Sequence, residues 1–145
     1  MSHHNEMETQ FLSLPENEGF ARVVIAAFAA QLSPTVSELA DIKTAVSEAV
    51  TNAIVHGYEG TRGMVILRAQ IDGTLLTIDV TDKGRGISDI QRAMEPFFTT
   101  HPEQERSGMG FAVMQTFMDD LSVTSSPGQG TTVRMKKRIP TLPIM

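Results

Sequence analysis

Apolar residues recur at helical spacing from Phe20 through Val23, Val24, Ala27 and Phe28 to Leu32. That period predicts an amphipathic helix over residues 16–32. Ser13 and Glu16 flank Pro15 as a candidate capping box, and Pro34 stops the pattern. A second stripe, Leu39, Ile42, Val46, Ala49, Val50 and Ala53, predicts a helix over 36–56. Thr35 with Glu38 matches a capping box at its start. Gly57 is placed to close it in the left-handed conformation.

The period then changes to two. Val65, Leu67, Ala69 and Ile71 alternate with Met64, Ile66, Arg68 and Gln70. Leu76, Ile78 and Val80 alternate with Leu75, Thr77, Asp79 and Thr81. Asp72-Gly73 between them is a two-residue hairpin signal, so the strands should pair antiparallel. A glycine-rich segment, 82–87, follows, and Ser88 with Gln91 suggests a short capped helix through Met94. Residues 99–107 contain no apolar side chain and read as an exposed loop. Gly108-Met109-Gly110 leads into a helix over 111–119. Strands over 121–125 and 131–138 flank the turn at 127–130. Three helices and a mostly antiparallel sheet make a two-layer α/β sandwich, and residues 1–145 read as one domain.

Composition narrows the chemistry. With 41% hydrophobic and 20% charged residues, the 145-residue chain has material for one core. A net charge of -5 argues against nucleic-acid binding, which needs a cationic surface. Lys136-Lys137-Arg138 is too short a run to change that. The absence of cysteine excludes disulfides, thiolate metal sites and cysteine nucleophiles. The apolar run at 23–30 is too short to span a bilayer, and Glu6 and Glu8 do not suit a signal peptide. A soluble, cytoplasmic protein is expected, with no membrane partner. His3-His4 reads as part of a frayed terminal tail rather than a metal site.

Some polar positions carry candidate chemistry. Glu48 and Asn52 are one turn apart on a helix face shared with Asp41. A carboxylate there can take a proton, and an amide oxygen can ligate a hard cation. Taken alone, such a pair is more often a solvated helix face. Asp82 continues the inward series Leu76, Ile78, Val80, so it needs donors. Gly84 and Gly86 allow a sharp turn and a close ligand. An aspartate bonding its own turn is an equally good reading of that motif. Thr131 shares the parity of Val133 and Met135, which puts its hydroxyl on Asp82's side of the sheet. Gly108-Met109-Gly110 opens a helix whose free N–H groups suit phosphate, with Arg106 and Ser107 just before it. A flexible hinge is the competing reading.

In order along the chain, these motifs resemble the boxes of the GHKL ATPases and kinases. Glu48 to Gly57 resembles the N box, and Asp82-Lys-Gly84-Arg-Gly86 the first glycine box. Pro96-Phe97-Phe98-Thr99-Thr100 resembles the phenylalanine box. Arg106-Ser-Gly108-Met-Gly110-Phe111 resembles the second glycine box, and Gly130-Thr131-Thr132 the terminal threonine motif. Within that superfamily, Asn17 to Arg22, residues 43–57 and residues 98–111 resemble the anti-sigma F factor family of endospore-forming bacteria.

The resemblance implies a Bergerat-type ATP-binding fold and two linked activities. One is a serine/threonine kinase acting on a small anti-anti-sigma protein. The other is a homodimer that sequesters a sporulation sigma factor when nucleotide is bound. It implies that Asn52 ligates Mg²⁺ on the phosphates of ATP or ADP and that Glu48 is the general base. It implies that Asp82, supported by Thr131, accepts from the adenine amine in a pocket shaped by Gly84 and Gly86. Thr99, Thr100, Ser107, Gly108, Met109 and Gly110 would contact the phosphates, Arg106 would stabilise phosphoryl charge, and Arg22 would contact both protein partners. A general-stress anti-sigma kinase and a stand-alone histidine-kinase catalytic domain carry the same boxes and are the alternatives.

Overall fold

The capping box at Thr35 is formed in the structure, a computed structural model that describes residues 3–94 and 110–140. Thr35 Oγ1 accepts from the Glu38 N–H at 3.0 Å, and Glu38 Oε1 accepts from the Thr35 N–H at 2.8 Å. Two of the helix's orphan donors are thereby satisfied. The helix so opened, α2 (Val36–Asn52), buries Ile42, Ala45, Val46, Ala49 and Val50. It does not end on a left-handed Gly57. Ala53–Gly57 continues as a π turn, and the Tyr58 N–H donates to Ala53 O at 3.0 Å. Positive φ is deferred to Glu59 (49°) and Gly60 (83°).

The preceding helix, α1 (Glu16–Ala29), runs on through a 3₁₀ turn, Ala30–Leu32, and stops at Ser33 with φ 51°. Its buried face is Ala21, Ile25, Phe28 and Ala29. Two residues of the predicted stripe turn outward instead: Phe20 is 48% exposed and Val23 68%. The alanines let α1 lie close to α2, which moves the stripe's centre away from the bulkier pair. Phe20 still rests edge-on against the buried Phe11 ring, with centroids 6.0 Å apart. Ser13 does not cap α1. Its hydroxyl accepts from the Gly63 N–H and donates to Thr61 O, tying the chain before α1 to a loop 50 residues away.

Four strands fall where alternation predicts: β2 (Met64–Asp72), β3 (Leu75–Asp82), β4 (Asp120–Ser126) and β5 (Gly130–Arg138). A fifth, β1 (His4–Leu12), replaces the expected tail. It pairs antiparallel with β2 from His4↔Asp72 to Leu12↔Met64, and Met7 and Phe11 point into the core. His4 is thus a strand residue, with Nδ1 2.6 Å from Asp72 Oδ1. The sheet order is β1-β2-β3-β5-β4, antiparallel throughout.

The helices cover one face, and Ile25, Val46, Leu67, Ile78, Met114 and Met135 are fully buried between the layers. The other face is polar, with ion pairs Glu8–Arg68 and Asp79–Arg134 across neighbouring strands. This is the expected two-layer α/β sandwich. A one-turn helix, α3 (Ile90–Ala93), is capped by Asp89, which accepts from the Arg92 N–H; Ser88 does not serve. The last helix, α4 (Gly110–Phe117), packs on α2 and ends two residues short of the predicted position. No helix among the described residues is long and apolar enough to cross a membrane.

Candidate functional site

Asp82 ends β3 opposite Thr131 of β5 and is 3% exposed. Its carboxylate accepts from the Gly84 N–H at 2.9 Å and from the backbone N–H of Thr131. Burial pushes the Asp82 carboxyl above the ordinary carboxylate range, and those two N–H groups pull it partly back. A group in that condition has room for a further donor.

Glycine surrounds it because nothing larger fits. A Cβ on Gly57 would lie 2.7 Å from the Asp82 carboxylate carbon. One on Gly84 would lie 1.9 Å from Gly57 O, and one on Gly130 2.1 Å from Asp82 O. Gly57 O accepts from the Arg85 N–H at 2.9 Å. The end of α2 is therefore pressed directly on the Asp82 turn. Gly86, at φ 77°, is pressed in the same way on Ser126 O. The first glycine pair thus serves backbone approach inside the protein.

Thr131 meets Asp82 through its amide rather than its hydroxyl. The Ser125 hydroxyl donates to Gly130 O and accepts from the Ile87 N–H, each at 2.8 Å. Its one proton is spent on Gly130, so the Thr131 hydroxyl, 2.8 Å away, is the donor between them.

On α2, Asn52 is half-buried in the last turn before the π segment, and Gly57 lies five residues on, about 7 Å along the axis. No partner for the Asn52 amide is found among the described residues. Glu48 lines a cavity of about 550 Å³ with Ser13, Glu18, Thr51, Thr61 and Arg62, and Asn52 is not among its lining residues. At the α1 end of this cavity Glu18 accepts from the Ser47 hydroxyl and pairs with Arg22 Nε at 3.3 Å. The Arg22 side chain is 46% exposed on the outer side of α1. Gly110 is buried at the start of α4. Thr99, Thr100, Arg106, Ser107, Gly108 and Met109 lie outside the described residues.

The structure thus brings Asp82, Gly84, Gly86 and Thr131 together at one end of the sheet and delivers the end of α2 onto them. Ser125 was not singled out in the sequence for this place. Gly57 and Gly130 were read only as members of their motifs, since their contacts with Asp82 are long-range.

Residues 11–137 match the family described as histidine kinase-like ATPase domain. The chain is 62% identical over 139 residues to an anti-sigma F factor of Thermoanaerobacter sp., covering 96% of this chain and 97% of the relative. The chain belongs to the anti-sigma F factor family. Other members are similar at comparable length. The anti-sigma F factor of Clostridium acetobutylicum is 55% identical over 92% of this chain and 94% of its own, and that of Bacillus licheniformis 53% over 93% of each.

Among solved structures, the RsbU and RsbW domains of a Mycobacterium tuberculosis protein align with a TM-score of 0.69 at 19% identity. That alignment covers 97% of this chain and 35% of that one. The histidine kinase domain of a blue-light-activated kinase from Erythrobacter litoralis aligns at 0.54 and 21%, covering 84% of this chain and 61% of that one. At such identities the likeness establishes the fold. With the family established, the chain carries an ATP-binding, kinase-type domain.

Proposed function

We propose that this anti-sigma F family chain binds ATP with its adenine amine on Asp82 and transfers the terminal phosphoryl group to a serine of a small anti-anti-sigma protein. In the nucleotide-bound state it acts as a cytoplasmic homodimer that holds a sporulation sigma factor. The observation that carries this reading is the Asp82 carboxylate. It is buried, raised in pKa and, among the described residues, held by two backbone N–H groups where a strand ends. An exocyclic amine supplies the missing donor.

The donor set fits a magnesium nucleotide. Among the described residues no group of three or more His, Asp or Glu side chains could cage a metal by itself. One amide oxygen, that of Asn52, suits Mg²⁺, which takes one or two protein ligands and completes its shell with phosphate and water. Bound there, the ion would supply charge neutralisation on the phosphates. Glu48, one turn before Asn52 and facing a cavity with room for a substrate loop, takes the proton of the attacking hydroxyl. Thr99, Thr100, Ser107, Gly108, Met109 and Gly110 hold the phosphates, and Arg106 stabilises the transferring charge. Arg22, half exposed and braced by Glu18, meets the protein partners.

The test is Glu48→Gln. Phosphorylation of the anti-anti-sigma protein should fall about 10²- to 10⁴-fold, while ATP and sigma factor still bind. Wild-type turnover in that variant would remove Glu48 from the mechanism. Phospho-amino-acid analysis of the product should give acid-stable phosphoserine; acid-labile phosphohistidine would favour the histidine-kinase reading instead.

A further inference from the structure

β2 and β3 form a hairpin around a two-residue turn, with Asp72↔Leu75 as the first rung and Ile66↔Thr81 as the last. In an antiparallel hairpin, hydrogen-bonded rungs alternate with non-bonded ones. Counted from Asp72/Leu75, the bonded rungs are Gln70/Thr77, Arg68/Asp79 and Ile66/Thr81. Two residues further, Met64 would face Lys83 on a bonded rung. That rung is occupied by a side chain. The Tyr58 hydroxyl donates to Met64 O at 2.5 Å and accepts from the Lys83 N–H at 2.8 Å. The two backbone groups that would have bonded each other bond one phenol oxygen instead.

The ring is built into this place. Tyr58 is 8% exposed, and a Cβ on Gly63 would lie 2.2 Å from its Cε1. Its own N–H closes the π turn on Ala53 O. Three successive amides of the Asp82 turn are then held in series. The Lys83 N–H bonds the Tyr58 hydroxyl, the Gly84 N–H bonds the Asp82 carboxylate, and the Arg85 N–H bonds Gly57 O. The hydroxyl wedges the sheet open by one oxygen atom, directly after the residue that carries the carboxylate. Without it, Met64 O and the Lys83 N–H are free to close on each other, drawing Asp82 away from Gly57 and from the Thr131 amide.

We propose that the Tyr58 hydroxyl, wedged between Met64 O and the Lys83 N–H, positions Asp82 for the exocyclic amine and so sets the selectivity of the site for adenine. Tyr58 is a positioning residue: it acts through the Asp82 turn. The inference rests on the reading of Asp82 given above.

The test compares binding of ADP with that of purine riboside 5′-diphosphate, which lacks only the amine, by calorimetry on the full chain. The wild type should prefer ADP by about tenfold or more, the scale of one hydrogen bond to a charged group. In Tyr58→Phe that preference should narrow to within about twofold. General loosening would weaken both ligands alike and leave the ratio alone. A Tyr58→Phe protein that is folded by circular dichroism and keeps the wild-type ratio overturns the inference. Should that variant fail to fold, replacing the Lys83 peptide N–H with an ester oxygen releases the Asp82 turn from the hydroxyl while the ring stays packed, and the ratio should narrow there too because the turn is no longer tethered. An unchanged ratio there is equally fatal. Asp82→Asn separates the two levels. If it narrows the ratio and the Tyr58 and Lys83 changes do not, only the wedge falls; if it too leaves the ratio unchanged, the adenine reading falls as well.

Discussion

Asp82 sits in a conflict between stability and binding. Its folded-state pKa is raised, so the folded protein holds the proton more tightly than the unfolded chain does. Stability from that proton is fully present below the unfolded-state pKa and is lost as pH rises through the folded one. In urea denaturation of the ligand-free protein, the difference between Asp82→Asn and wild type should therefore shift in favour of the variant as pH rises from about 4, the ordinary aspartate value, through the raised folded-state pKa. On the proposed reading of Asp82, nucleotide binding runs the other way, because an exocyclic amine prefers the ionised carboxylate. ADP affinity should fall in acid through the same range, and calorimetry across pH reads it. Parity along Leu76, Ile78 and Val80 was enough to place this carboxylate on the inner face. Gly57 was legible as a helix terminator but not as the lid on Asp82, because that contact joins residues 25 apart and leaves no local pattern.

At the scale of elements, signals contained in one short stretch were readable. The Thr35–Glu38 box and the hairpin signalled by Asp72-Gly73 each need only neighbours; the box is formed, and the hairpin is too, with its two-residue turn one position later at Gly73-Thr74 because Asp72 pairs with Leu75. Thr35→Ala should cost about 1 kcal/mol of stability in urea denaturation, since it strips a side-chain acceptor from the start of the longest described helix. The stripe on α1 was misplaced because periodicity finds an apolar face but not its centre. Ala21 and Ala29, small enough for close packing on α2, outrank Phe20 and Val23. In β1 the inward positions are Asn5, Met7, Thr9 and Phe11, only half of them apolar, so alternation is faint. Its partner β2 supplies the hydrogen bonds that faint alternation could not announce.

For the molecule as a whole, β1 closes the sheet on one side, and Phe11 is its anchor. Phe11→Ala should destabilise by about 3 kcal/mol, because the ring is 7% exposed and packs in the common core. Val23→Ala, at 68% exposure, should stay within about 0.5 kcal/mol. The pair of denaturation midpoints tests whether the amino-terminal strand belongs to the cooperative unit. The polar outer face, laced by Glu8–Arg68 and Asp79–Arg134, explains how such a sheet remains exposed on one side. The order of the motifs along the chain was enough to read the sandwich and its ATP-binding family. The packing at the Asp82 end of the sheet left no such signal, since it is made by three glycines and a phenol drawn from separate elements.

Tyr58 is the chain's one tyrosine, and there is no tryptophan. Excited near 280 nm, the protein emits from a single known joint, the gap between β2 and β3. A phenol that donates to a carbonyl is quenched by that bond, and Tyr58 donates to Met64 O. Unlabelled protein thus carries its own optical gauge of how firmly the sheet is held apart, readable in a cuvette while nucleotide is added.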